Sequence, residues 1–297
     1  MYEYPSRFKG KGLPFLLLSP TLLILVVFLY YPVIQTFILS TYRVAFLGLR
    51  KQFTGLENFV DLAHDPGYLR TVSTTVVITT SVVIGGLAIS LAIAMLANRK
   101  IRGASFYRIL LIWPYALSPA VAGIVFLFMF SPGFGAVNYL MFRIFGSELN
   151  WLGNPRLAVI LIITASIWKN LGYNVVFYLA GLQNLNTDVL EAASIDGAGA
   201  WKSFWSVIFP LLSPITFFLL ITNITYSFFD IFGMIDLVTK GGPLNATNVM
   251  IYNLYRDGFE YYKTGLAAAQ SVILFAAVVV LTLIQFRTSG RRVHYGG

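Results

Sequence analysis

Leu22-Leu-Ile-Leu-Val-Val-Phe-Leu-Tyr30 and Ile273-Leu-Phe-Ala-Ala-Val-Val-Val-Leu281 are apolar at every position, with no alternation of polar and apolar residues. A transmembrane strand would run about ten residues and alternate its polarity, so these stretches read as helices and exclude a barrel. Each lies inside a longer apolar run of about twenty residues or more, enough to cross a hydrocarbon core of roughly 30 Å at 1.5 Å per helical residue. Runs of this kind place spans at about Leu13–Thr36, Val72–Ala97, Phe106–Phe130, Leu157–Gly181, Val207–Phe229 and Leu266–Phe286. The expected fold is all-α: a polytopic membrane helix bundle of about six transmembrane helices.

The rest of the sequence agrees with that reading. Of 297 residues, 57% are hydrophobic and 11% charged, against roughly 25% charged in a soluble domain. The chain has no cysteine, so disulfides and thiolate metal sites are excluded. His64 and His294 are its only histidines, which argues against a zinc, haem or iron–sulfur enzyme. The net charge of +9 could suggest nucleic acid, but Lys and Arg cluster beside apolar runs, as anchors at anionic lipid do. No nucleic-acid partner is expected.

The first span follows Arg7, Lys9 and Lys11, yet its apolar run is too long for a signal peptide and lacks a small-x-small cleavage site. It reads as a retained signal anchor. Those three cations, with Arg99, Lys100, Arg102, Lys202, Arg287, Arg291 and Arg292, lie in short loops against the spans. The cations of the alternate loops, such as Arg43, Arg70 and Arg156, are nearly cancelled by acids including Glu57, Asp61, Asp65, Glu148 and Asp257. By density rather than number, both termini are expected on the cytoplasmic side.

Gly86, Ser90 and Ala94 recur every four residues and form a small-residue strip for close helix approach. Pro114 and Pro119 in the third span, and Pro210 and Pro214 in the fifth, each remove a backbone donor and predict kinks. Lys169 is the one ionised residue well inside a span, beside Asn170, Tyr173 and Asn174. Asn223, Tyr226 and Asp230 share a helical face on the fifth span. A lipid-facing charge at such depth is costly, so Lys169, Asn170, Asn174, Asn223, Tyr226 and Asp230 are candidates for a pathway through the bundle. Lysine with amide and phenol donors suits a phosphate, and Asn with Tyr also suits sugar hydroxyls. Lys169 could instead snorkel to an interface or pair with a partner's carboxylate.

Between the fourth and fifth spans lies Glu191-Ala-Ala-Ser-Ile-Asp196-Gly197-Ala198, running on through Phe204 to Pro210. Asp188, three residues ahead of Glu191, has the form of a helix start, and Gly197 offers a left-handed stop about two turns later. Val189, Leu190, Ala193 and Ile195 give this short helix an apolar face, and a helix so short needs a surface to pack on.

In this segment the chain resembles the permease subunits of binding-protein-dependent ABC importers, whose cytoplasmic EAA loop has the pattern E-A-A-x-x-D-G-A-x-x-x-x-x-F-x-x-I-x-x-P. Glu191, Ala192, Ala193, Asp196, Gly197, Ala198, Phe204 and Pro210 match it, and Val207 replaces the usual Ile. The resemblance implies that 1–297 is a single transmembrane permease domain with its EAA loop at 185–205, where the short coupling helix docks on an ATPase. It further implies two ATPase subunits, a second homologous permease, an external substrate-binding protein and a place in the inner (plasma) membrane. The sequence lacks G-x-x-x-x-G-K-[ST], so ATP and Mg would be held by the partner subunits and this chain would bind no cofactor and catalyse nothing.

Trp113-Pro-Tyr-Ala116, Trp168-Lys-Asn-Leu-Gly-Tyr-Asn174 and Thr239-Lys-Gly-Gly-Pro243 are similar to the carbohydrate-type permeases. Phe228–Asp236, Ile251–Phe259 and Ala267–Val272 resemble the branch that imports sn-glycerol-3-phosphate. Maltose-like oligosaccharide importers share much of the pattern. An ion-coupled secondary transporter, the other class of carrier, would need carboxylates or histidines in mid-span as ion sites, and the spans hold none.

Overall fold

A computed structural model describes residues 12–45, 50–99, 103–147 and 149–289. Arg7, Lys9, Lys11, Lys100, Arg102, Glu148, Arg291, Arg292 and His294 lie outside these, and with them much of the charge-based orientation reading.

Four helices are long and apolar enough to cross a membrane unbroken: α1 (Pro14–Ser40), α3 (Pro66–Ala97), α7 (Pro155–Gln183) and α13 (Thr264–Arg287). They extend the expected first, second, fourth and sixth spans by a few residues, and in α3 and α7 a cap and a proline ahead of the apolar run set the helix start. Asp65 caps α3, accepting from the Gly67 N–H at 2.8 Å, and Asn154 caps α7, accepting from Arg156 and Leu157. Both helices carry Pro at their first position, where a missing N–H costs nothing.

The third and fifth expected spans are not single kinked helices. Phe106–Ala116 (within α4, Ala104–Ala116) and α5 (Pro119–Phe130) meet at 100°, and α9 (Ala200–Leu211) and α10 (Ser213–Asp230) meet at 68°. Of the two prolines in the third span, Pro114 is accommodated inside α4 while Pro119 marks the break. A proline disfavours the helical region for its predecessor, and Leu117 and Ser118 are both extended (ψ 142° and 153°). The Ser118 hydroxyl then caps α5 by accepting from the Val121 N–H at 3.2 Å.

The contacts group the described residues into two units, where the sequence reads as one domain: those within 1–63 with 256–273, and those within 64–255 with 274–297. In the first, α1 is followed by a two-stranded antiparallel hairpin, β1 (Tyr42–Ala45) and β2 (Arg50–Phe53), and by α2 (Glu57–His64), which begins in this unit. Asn58 of α2 is buried and donates to the Ser40 and Tyr42 carbonyls at 2.8 and 3.0 Å, so one side chain satisfies the frayed end of α1. Buried Gln270 donates to Asp257 at 2.6 Å in the same unit.

The second unit is built on α3 and α7. Ile78 and Val82 pack with Leu161 and Ile162 in one cluster, and Leu87, Leu91 and Ala94 with Val175, Leu179 and Leu182 in another. Residue numbers rise together along both helices, so they run parallel. Gly86, Ser90 and Ala94 are all buried, as the strip predicts. Gly172 brings α4 against α7 so closely that a Cβ there would stand 2.4 Å from the Leu111 carbonyl oxygen. Ala122 and Phe126 of α5 pack with Ile231, and with Met234 and Ile235 of α11 (Phe232–Val238). The remaining described helices, α6 (Ala136–Phe145), α8 (Thr187–Ile195) and α12 (Met250–Tyr255), are short. Of these, only α8 was expected.

Candidate functional site

The break before Pro119 decides what lies at the centre of the second unit. A chain that turns 100° at Leu117–Ser118 leaves the end of α4 and the start of α5 facing α7 and α10 across a cavity of about 340 Å³. Tyr115 and Pro119 line it from the break, Lys169, Asn170 and Tyr173 from α7, and Thr222, Asn223, Tyr226 and Asp230 from α10.

Five of the six pathway candidates therefore share one cavity: Lys169, Asn170, Asn223, Tyr226 and Asp230. The sixth, Asn174, is fully buried and does not line it. Its side chain is locked with Asn223 in a reciprocal amide pair, Asn174 Nδ2 to Asn223 Oδ1 at 3.1 Å and Asn223 Nδ2 to Asn174 Oδ1 at 2.7 Å. Asn223 Nδ2 also reaches the Leu219 carbonyl at 2.8 Å. Asn174 is thus a clasp between α7 and α10 just below the cavity. The turn after Asn223 is a π-turn, Tyr226–Asp230, of the kind that often marks functional helices.

Lys169 does not snorkel. Its side chain is buried, 6% exposed, and its Nζ lies 5.0 Å from the centre of the Tyr115 ring and 5.6 Å from that of Tyr226. Among the described residues it forms no ion pair. Asn170 Nδ2 is buried next to it with no hydrogen-bond partner. The Lys169 ammonium and the Asp230 carboxylate thus both belong to residues that line the cavity, with the enclosed Asn170 Nδ2 in the same wall as Lys169. Sequence reasoning missed Tyr115, Pro119 and Thr222 as lining residues. Trp113-Pro-Tyr-Ala116 carried the signal for Tyr115, but its meaning depends on a chain break that periodicity does not show.

The segment after α7 forms the second candidate site. α8 spans Thr187–Ile195, and its N-cap is Asn186, whose side chain accepts from the Asp188 N–H at 2.9 Å. This corrects the helix start read at Asp188, which sits inside the first turn: Asn186 is placed to cap and Asp188 is already helical. The stop is as expected. Gly197 has φ +78°, with its N–H donating to the Ser194 carbonyl and the Ala198 N–H to the Ala193 carbonyl, the paired hydrogen bonds of a Schellman cap.

Glu191, Ala192, Asp196 and Gly197 are exposed, and Ala193 and Ala198 half-buried. Of the helix's apolar side chains, Ile195 at 86% and Val189 at 43% exposure stay open, whereas Leu190 and Ala193 are half-buried. Phe204 belongs to α9, where it borders an apolar groove of about 690 Å³ with Leu87, Leu91, Met95 and Trp205. Pro210 is exposed near the end of α9. α8 rests one side, Leu190 and Ala193, near the start of α9, and α9 leads straight into α10 and the cavity.

Comparison with known proteins gives a consistent result. Residues 84–295 match the family model described as "Binding-protein-dependent transport system inner membrane component". The chain is 45% identical over 291 residues to the sn-glycerol-3-phosphate transport system permease protein of Rhizobium meliloti (strain 1021), covering 97% of this chain and 98% of that one. It is 42% identical over 288 residues to the protein of the same description from Escherichia coli (strain UTI89 / UPEC), covering 97% of each. Among solved structures, a chain of a bacterial alginate ABC transporter in complex with its pentasaccharide-bound periplasmic protein superposes with a TM-score of 0.83 at 22% identity, over 96% of both chains. At that identity the likeness speaks for the fold.

Proposed function

The chain belongs to the family of inner membrane components of binding-protein-dependent transport systems, and from that footing we propose that it forms one half of the pore of an ATP-driven importer of sn-glycerol-3-phosphate. Identity of 41–45% over nearly the whole chain to permeases of that transport system supports the substrate. One geometric observation carries the mechanism: α8, capped by Asn186, stopped at Gly197 and exposed along the side that carries Val189, Glu191 and Ile195, is the first element of an arm that continues through α9 into the cavity-lining α10. A helix of nine residues does not persist alone in water, so α8 requires a partner surface. The ATPase subunit is that partner.

In this reading α8 lies on the cytoplasmic side, as do both termini, and docks by Val189 and Ile195 with Glu191 at the rim. Closure of two ATPases on nucleotide pushes α8, and the bend of 68° at Leu212 turns the push into a change of tilt in α10. The cavity between α7 and α10 then opens alternately to the two sides, with the Asn174–Asn223 clasp as its floor. A second permease completes the pore, and an external binding protein delivers the substrate. This chain holds the cavity and the lever; hydrolysis belongs to the partner subunits.

The chain contains no cysteine, so a single Ala192→Cys provides a clean probe. In membranes containing the whole complex it should cross-link to an ATPase subunit bearing a cysteine in its docking cleft, and nucleotide should change the yield. Cross-linking to the external binding protein instead would overturn the assignment.

A further inference from the structure

Lys169 stands out energetically. An ammonium taken out of water loses several kcal/mol of solvation after relaxation, by the usual estimate of roughly that size, and two tyrosine faces return only about 0.5–2 kcal/mol each. The three N–H donors of Nζ require oxygen acceptors, and among the described residues no carboxylate lies within ion-pair distance of it, Asp230 attracting it only from further off. Beside it, Asn170 Nδ2 is a second buried donor without a partner. A fold that retains such a cluster at membrane depth does so at a cost to stability, so the cluster serves something that enters the cavity.

We propose that Lys169 is a specificity-determining residue that reads the phosphoryl group of a small phosphorylated polyol during passage, so that the permease itself selects for the anion. This rests on the importer reading above. The phosphoryl oxygens would accept from Lys169 Nζ, between the rings of Tyr115 and Tyr226. Asp230, on the α10 wall, repels a negative charge placed beside it and accepts from hydroxyls. It therefore holds the phosphoryl end at the α7 wall and leaves the polyol end facing α10. A neutral sugar would leave the ammonium without an acceptor, and a site built to hydrogen-bond one group rejects ligands that lack it. The cavity, about 340 Å³, has room for a small ester but not for a long oligosaccharide.

The test uses the complete complex of both permeases, the ATPases and the loaded binding protein, reconstituted in liposomes with ATP inside. Uptake of radiolabelled sn-glycerol-3-phosphate is measured at saturating binding protein for the wild type, Lys169→Met and Lys169→Arg. Met keeps the apolar stem and removes the charge; Arg keeps the charge. The expected result is a loss of roughly tenfold or more with Met, the size of one charge-assisted hydrogen bond, and recovery to within about threefold of wild type with Arg. Wild-type uptake by Lys169→Met would overturn the proposal, and so would an Arg variant as defective as Met, since shape rather than charge would then matter. If neither variant assembles on size-exclusion chromatography, Lys169 is structural and the proposal also falls. Failure of the importer reading looks different: the unaltered complex would hydrolyse ATP in response to its loaded binding protein yet take up no glycerol ester.

Discussion

At the scale of single residues, the structure separates side chains that sequence polarity groups together. Asn174 and Asn223 are both amides at membrane depth, yet Asn174 is consumed by its partner while Asn223 also faces the cavity. Interhelical polar pairs in membranes average about 0.6 kcal/mol with a maximum near 1.7. A double-mutant cycle with Asn174→Ala and Asn223→Ala, read by thermal unfolding in detergent, should give a coupling in this range; additive effects would mean that the clasp does not form. Gly172→Ala should be the more damaging single change, because the new methyl meets the backbone of Leu111 and Ile112. Overpacking of this kind costs about 1–3 kcal/mol, which the same unfolding assay would register as a lowered midpoint. The polar candidates were legible because a charge or amide in a long apolar run has few uses. Which of them pair with each other depends on helix rotation, and uniformly apolar helices carry almost no periodic signal for rotation.

Among the elements, α8 illustrates both what local sequence determines and where it misleads. Gly197 ends the helix as its residue type requires, but two side chains competed to begin it, and the one nearer the preceding helix won. Asn186→Ala should weaken α8 by about 1 kcal/mol and raise amide exchange at residues 189–195 about fivefold, while Asp188→Ala should change it far less. Equal effects would restore Asp188 as the cap. Gly197→Ala forces a Cβ into φ +78°, at a cost of about 1–2 kcal/mol, and should lower transport with the chain still inserted. Gly197→Asn, which tolerates the left-handed region, should retain most of it. The two bent spans were legible only as kinks. Proline reports where a backbone donor is missing; whether the chain bends slightly or turns through 100° depends on what fills the space inside the turn, here the packing of α5 on α11.

For the whole molecule, six apolar runs placed the chain in a membrane, and four of them are unbroken helices. The short helices α6, α11 and α12 and the small hairpin were not legible, because each is too brief to carry a periodic pattern. The 18-residue window of α1 has no buried share within the chain. A helix apolar on all sides and unburied by its own chain belongs against lipid or another subunit. Topology is directly measurable in this cysteine-free chain. In intact cells, Ser194→Cys in α8 should resist a membrane-impermeant maleimide, and Leu244→Cys, at a site 79% exposed, should react. The reverse pattern would invert the orientation.

The central claim, that this chain is the passive half of a pore worked by partner ATPases, meets its most direct test in reconstituted uptake. Liposomes carrying this chain with a second permease and the ATPases should accumulate sn-glycerol-3-phosphate only when ATP and the loaded binding protein are both supplied. Uptake by this chain alone, driven by an ion gradient and indifferent to ATP, would contradict it.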